Sequence, residues 1–334
     1  AWRGLKPLGS SGPACRRPLA RSRRALWWMS ETALLRPNDG MEGGGAETSF
    51  LVPLRLAWRG LSAKELRNRD RKRILDAFVF PVFFLWYLLI AFVVTAPAAL
   101  QGPVPKDAAL AGGPFALAVR VLLALLAMYP LAIQVWSFPP PSEGTDAFLV
   151  QTYIGRWIYL TRHCLAFQAM HQVASLAAPP SPFLGAVTHG VSLWVSALGW
   201  FVTVQYLVLV APSAPFKQDC DMWARRGVQF KEVGLVIHLG ALPIAVCDMV
   251  FAKNAAELAR AATLSRTLLL SVVYCLLYLF MIICNYNVTD HWPYGFMKDF
   301  GHNIGKWVAF VGKQIAIMLV FALINWLILC ARTM

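Results

Sequence analysis

Two stretches of the chain carry side chains that could do chemistry in apolar surroundings. The first, residues 151–175, reads QTYIGRWIYLTRHCLAFQAMHQVAS. On a helix, Thr161, Cys164, Gln168, His171 and Ser175 recur every three or four residues and share one stripe. Leu160, Leu165, Phe167 and Met170 take the opposite positions. A spanning helix with a polar stripe turns it toward other helices or a wet cavity, because hydrocarbon cannot satisfy those groups. Thr161 has two readings. Its hydroxyl can bond a carbonyl of its own preceding turn, or it can be a nucleophile if a base lies within reach.

The second stretch supplies a candidate base. Gly234, His238, Ala241, Ala245 and Asp248 fall on one stripe. Small residues there let a neighbouring backbone approach closely. His238 is either a packing group or a general base, since its near-neutral pKa suits proton transfer. Asp248 lies ten residues further on, about 15 Å along a helix. It is too far to orient that imidazole and is expected near the membrane edge. His163 and His171 sit eight residues apart on the first stretch. With a second helix they could clamp a haem iron, although no haem-attachment spacing is present. Arg162 is expected to snorkel or to pair at a helix end. Gln168 is a possible oxyanion donor. The cysteines show no CxxC pair, so neither a zinc site nor a disulfide framework is signalled, and no metal or cofactor is expected.

The elements that must position these groups are membrane helices. The 334-residue chain is 58% hydrophobic and 14% charged, against about 25% charge in a soluble domain, and its mean hydropathy is +0.54. Apolar blocks of this length are too long for strands and mark membrane spans. Seven are expected, at about 74–100, 115–137, 153–177, 184–210, 233–251, 264–286 and 306–330. The net charge of +14 is concentrated in the first 30 residues and in 55–73. Next to a span, such clusters mean a flank that meets anionic lipid rather than nucleic acid. Residues 1–73 read as a disordered basic segment, the first 50 or so rich in Gly, Pro, Ser and Arg and without apolar periodicity. The positive-inside bias places the N-terminus in the cytoplasm.

Several of these residues resemble a known family, the androgen-induced integral membrane proteins that hydrolyse fatty acid esters of hydroxy fatty acids. Thr152-Tyr153-Ile154-Gly155-Arg156-Trp157-Ile158-Tyr159-Leu160-Thr161, followed by Gln168, resembles one family motif. His238 with Leu242-Pro243 and Asp248 resembles a second, in which Gly234-Leu235 replaces the usual Asn-His pair. Trp292-Pro293-Tyr294-Gly295-Phe296 is similar to a third. The resemblance covers about 115–330 and implies a six-helix core. It makes Thr161 the nucleophile and His238 the base, with Trp157, Gln168 and His171 binding substrate.

The expected fold is therefore all-α, a polytopic transmembrane bundle. An additional span at 74–100 precedes a six-helix hydrolase-like domain at 115–334. The expected function is a membrane-embedded threonine hydrolase of lipid esters, acting without a cofactor, with lipid as substrate and surroundings and no nucleic-acid partner. A non-catalytic regulator or scaffold on the same fold, or a His-ligated haem carrier, are the rival readings. The expected location is the endoplasmic reticulum, the plasma membrane or an organellar membrane.

Overall fold

The computed structural model describes residues 81–82, 84–90, 92–93, 113–132, 155–178, 181–225, 230–289, 292–301 and 303–334, all within one unit, Ser49–Met334. The basic segment 1–73, most of the expected 74–100 span and the first residues of the Thr152 motif lie outside them. Among the described residues there is no strand, and the fold is an all-α polytopic bundle. Residues 81–82, 84–90 and 92–93 are helical. Among the described residues nine helices follow: α1 (Gly113–Ala132), α2 (Leu160–Leu176), α3 (Pro182–Gln205), α4 (Ala214–Arg225), α5 (Phe230–Leu239), α6 (Ala241–Cys247), α7 (Ala255–Ala261), α8 (Leu264–Thr289) and α9 (Ile304–Thr333).

Five helical stretches among the described residues are long and apolar enough to cross a membrane: Gly113–Ala132, Phe183–Val210, Phe230–Ala252, Leu264–Asn287 and Ile304–Thr333. These match the second, fourth, fifth, sixth and seventh expected spans. The third differs. A 3-10 turn, Gly155–Ile158, leads into α2, which has 17 residues. At 1.5 Å per residue it runs about 26 Å, short of a hydrocarbon core of roughly 30 Å.

The surroundings of α2 explain its polarity. It packs against α1, α3 and α6, and Val173 is its one exposed residue. The polar stripe does face inward: Cys164, Gln168, His171 and Ser175 are all buried. The opposite, apolar face is also enclosed, with Leu165, Phe167 and Met170 buried too. Arg162 does not snorkel. It is fully buried, its guanidinium 5.1 Å from the Trp157 ring centroid, a cation–π distance.

Local signals set the other elements. Ser181 caps α3 by accepting from the Leu184 N–H at 3.3 Å, with Pro182 at the first position. Asn303 caps α9 by accepting from the Lys306 N–H at 3.0 Å. The fifth span breaks at Gly240, where α5 gives way to α6. Pro243 lies just beyond and cannot donate to the carbonyl of Leu239, four residues earlier. At the core, Phe167 of α2, Trp194 of α3 and Tyr274 of α8 stand 5.3–5.8 Å apart, centroid to centroid. The three rings lock those helices together in tilted and edge-to-face contacts.

Small residues bring α3 and α6 to backbone contact. A Cβ on Gly199 would lie 2.6 Å from Gln168 Nε2, 2.9 Å from the Ala241 carbonyl and 3.0 Å from the Ala245 Cβ. Without that Cβ, Gln168 Nε2 reaches across from α2 and donates to the Ala241 carbonyl at 2.8 Å. Ala241 and Ala245 thus provide the close approach that their stripe implies.

Candidate functional site

Thr161 is the second residue of α2. Two tyrosines from beyond it in sequence hold this end of the helix. The Leu160 N–H donates to Tyr294 Oη at 3.2 Å, and Tyr278 Oη donates to the Ile158 carbonyl at 2.8 Å. The two phenols are 3.1 Å apart. Because the Tyr278 proton is engaged by a carbonyl, the proton between the phenols comes from Tyr294. A single direction of donation follows, from Leu160 N–H through Tyr294 and Tyr278 to Ile158 C=O. Burial raises the pKa of the Tyr294 phenol and keeps it a donor. Tyr294 thereby serves a first-turn N–H that a helix leaves without an internal partner, and Tyr278 ties down the turn just before it.

His238 lies near the end of α5. Its Nδ1 is 2.6 Å from the Gly234 carbonyl. A carbonyl only accepts, so the neutral ring carries its proton on Nδ1 and its lone pair on Nε2. The ring stacks on Tyr206 at 4.0 Å and 11°. Tyr206 opens the π-helical turn Tyr206–Val210 that extends α3, and Thr203 Oγ1 ties α3 to the His238 carbonyl at 2.8 Å. The imidazole is thus fixed both in plane and in tautomer.

Thr161 and His238 line one cavity. Its volume is about 120 Å³, on a measure by which one water needs roughly 10–15 Å³. α3, α8 and α9 supply most of its wall, and the Tyr294–Met297 stretch and the start of α2 line it too. Among the described residues no hydrogen bond joins Thr161 to His238. Among the described residues Thr161 also lacks the carbonyl back-bond that several other helical hydroxyls make. Thr188, Thr267 and Ser271 each donate to the carbonyl four residues earlier, at 2.8–3.0 Å. No Asp, Glu, Lys or Arg lines the cavity among the described residues.

The other expected site residues lie elsewhere. Trp157 is fully buried and absent from the described lining. Gln168, considered as an oxyanion donor, spends its amide N–H on the Ala241 carbonyl and does not line the cavity. His171 belongs to a second polar cluster at the far end of α2. Its Nε2 donates to Asp248 Oδ2 at 3.0 Å, and its Nδ1 accepts from Tyr87 Oη at 3.2 Å. Ser192 Oγ also donates to Asp248 Oδ2, at 2.9 Å. Lys253 Nζ lies 4.0 Å from Asp248 Oδ1 and donates to Ser175 Oγ at 2.5 Å. Asp248 is therefore buried at an ion pair, in the last turn of the Phe230–Ala252 stretch.

His163 accepts at Nδ1 from Tyr274 Oη at 2.9 Å and donates from Nε2 to the Trp157 carbonyl at 2.5 Å. Both ring nitrogens of His163 and of His171 are thus engaged, which does not fit a haem iron clamped between them. Among the described residues no cluster of His, Cys, Asp or Glu suits a metal ion.

Tyr206, Tyr278, Gln205 and Gln314 also line the cavity, and the sequence did not single them out. Tyr278 follows Tyr274 by four residues inside an apolar helix, a spacing that puts both phenols on one face. Tyr294 lies within the third motif, which assigns it no role. The chain matches no protein-family model, no curated protein and no solved structure.

Proposed function

We propose that the cavity is the active site of a membrane-embedded hydrolase of lipid esters, with Thr161 as nucleophile and His238 as general base. The observation that carries this reading is one shared cavity lined by a hydroxyl without a carbonyl back-bond and by an imidazole whose Nε2 lone pair meets no donor among the described residues. His238 Nε2 takes the Thr161 proton as Oγ1 attacks the ester carbonyl carbon. The tetrahedral intermediate collapses, and the departing alkoxide takes that proton and leaves as the alcohol. Nε2 then deprotonates a water that attacks the acyl-threonine. The fatty acid departs and Thr161 recovers its proton. Proton transfer needs the two side chains in direct hydrogen-bond reach or joined through one water when substrate is bound. The oxyanion forms beside the N-terminus of α2, where the helix dipole favours negative charge. The resemblance to the androgen-induced family points to fatty acid esters of hydroxy fatty acids as substrates.

Purified protein given a branched fatty ester provides the test. Thr161→Ala and His238→Ala are expected to lose at least about 100-fold in kcat, the scale of general base catalysis, with the thermal transition retained. A fluorophosphonate should label the wild type and not Thr161→Ala. Full turnover in either variant overturns the mechanism. The missing Thr161–His238 hydrogen bond favours a second reading, a non-catalytic lipid-binding regulator. Folded wild type that neither turns over ester nor takes the label would establish that reading instead.

A further inference from the structure

The cavity holds two amides that the esterase reading does not use. Gln205, at the end of α3, and Gln314, in the middle of α9, both line it and are half-buried. Among the described residues neither side chain has a hydrogen-bond partner. Half-buried amides on the wall of a cavity, with no bond to the protein among the described residues, are available to a ligand that brings hydrogen-bonding atoms to them. The same lining has no acid, lysine or arginine among the described residues. A charged ligand group would find no counter-ion there, and burying an unpaired charge is far costlier than burying a dipole. An ester or ketone oxygen, by contrast, needs only the N–H donors that the amides present.

We infer that this cavity selects lipids whose buried polar group is an uncharged carbonyl, and that Gln205 and Gln314 are the residues that recognise it. A substrate carrying a carboxylate must keep it outside this lining. The inference deepens the esterase reading by naming the ligand class, but it is tested without turnover.

The probe is a long-chain dialkyl ketone, which cannot be hydrolysed. It is compared with a fatty acid of matching length at about pH 8, where the acid is ionised. Binding is read from the concentration dependence of the thermal transition in detergent. The ketone is expected to bind at least about tenfold more tightly than the acid, because only the acid must desolvate a charge. Gln205→Leu and Gln314→Leu are each expected to weaken ketone binding about fivefold, the worth of one neutral hydrogen bond. Leucine is at home in an apolar wall, and the ligand-free transition of each variant verifies its fold. Ketone binding unchanged in both variants, or acid bound as tightly as ketone, overturns the inference. Ketone binding that persists in a protein without ester turnover sinks the hydrolase reading and leaves this one standing.

Discussion

Thr161 differs from its fellow hydroxyls by position. Thr188, Thr267 and Ser271 sit where a carbonyl four residues earlier belongs to helical or near-helical backbone, and they bond it. Thr161 comes one turn too early for that, just after the 3-10 turn and the extended Tyr159. The carbonyl four residues back, that of Trp157, accepts from the His163 ring instead. The freedom of this hydroxyl thus depends on how the first turn of α2 is held, which gives Tyr294 a positioning role. Tyr294→Phe removes the acceptor of the Leu160 N–H and the donor to Tyr278. We expect a stability loss of about 0.5–1.5 kcal/mol. We expect kcat to fall about ten- to a hundredfold, as for a small misplacement of a reacting group, with KM little changed. A parallel rise in KM would instead point to a general collapse of the cavity wall. Thr161 and His238 were legible in the sequence because each is a polar group recurring with a stripe. Gln205 and Gln314 were not, since each is a lone amide in an apolar run and nothing local shows which way it faces.

At the scale of elements, the junction of α2, α3 and α6 depends on Gly199. Two of the three atoms that an added methyl would meet are a backbone oxygen and a fixed Cβ, so the helices themselves would have to part. Gly199→Ala is expected to cost about 1–3 kcal/mol, as overpacking does, and to break the bond from Gln168 to Ala241. Gly185→Ala in the same helix meets nothing within 4 Å and is expected to be neutral or to stabilise by up to about 1 kcal/mol. Thermal unfolding of the two variants in one detergent decides, and equal effects would contradict the packing described. Five of the expected spans were legible because a lipid-facing helix must be apolar over its whole length. The sequence also showed that the polar stripe of α2 faces inward. It could not show that the other face is enclosed, because Leu165, Phe167 and Met170 suit lipid and protein equally well.

Across the whole molecule, two polar sites divide the bundle. Thr161 and Ser175 are 14 residues apart on α2, about 21 Å. The cavity occupies one end, and the Asp248 cluster the other. Around that cluster, α1 and α9 grip the π-helical turn Asp248–Ala252. Arg120 donates to the Ala252 carbonyl at 2.9 Å, and Arg332 donates to the carbonyls of Met249 and Lys253. The cluster reads as structural, and its loss should be felt in stability before chemistry. Asp248→Asn leaves Lys253 buried without its counter-ion and is expected to cost about 3–5 kcal/mol. Ester turnover by the remaining folded protein should be unchanged, and selective loss of turnover would tie the cluster to the site. Burial pushes the Lys253 ammonium from its ordinary 10.5 down to about 8, against the pull of Asp248. The native state therefore gives up this proton before the unfolded chain does. Between about pH 8 and 10.5 the unfolded chain binds more protons, so this residue makes stability rise with pH. Over that window the wild type should gain stability relative to Lys253→Met, and a constant difference would contradict the shift.

The enclosure of α2 bears on how the protein is made. A segment of about 26 Å that carries an arginine, two histidines and two glutamines gains too little from lipid to enter a bilayer unaided, since a single charged side chain at mid-membrane costs about 2.5–3.5 kcal/mol. Its neighbours must be in place to receive it. The hydroxyl proposed as nucleophile therefore reaches its working position only after most of the protein has been synthesised, and a ribosome-bound fragment ending before α8 has neither Tyr278 nor Tyr294 with which to anchor it.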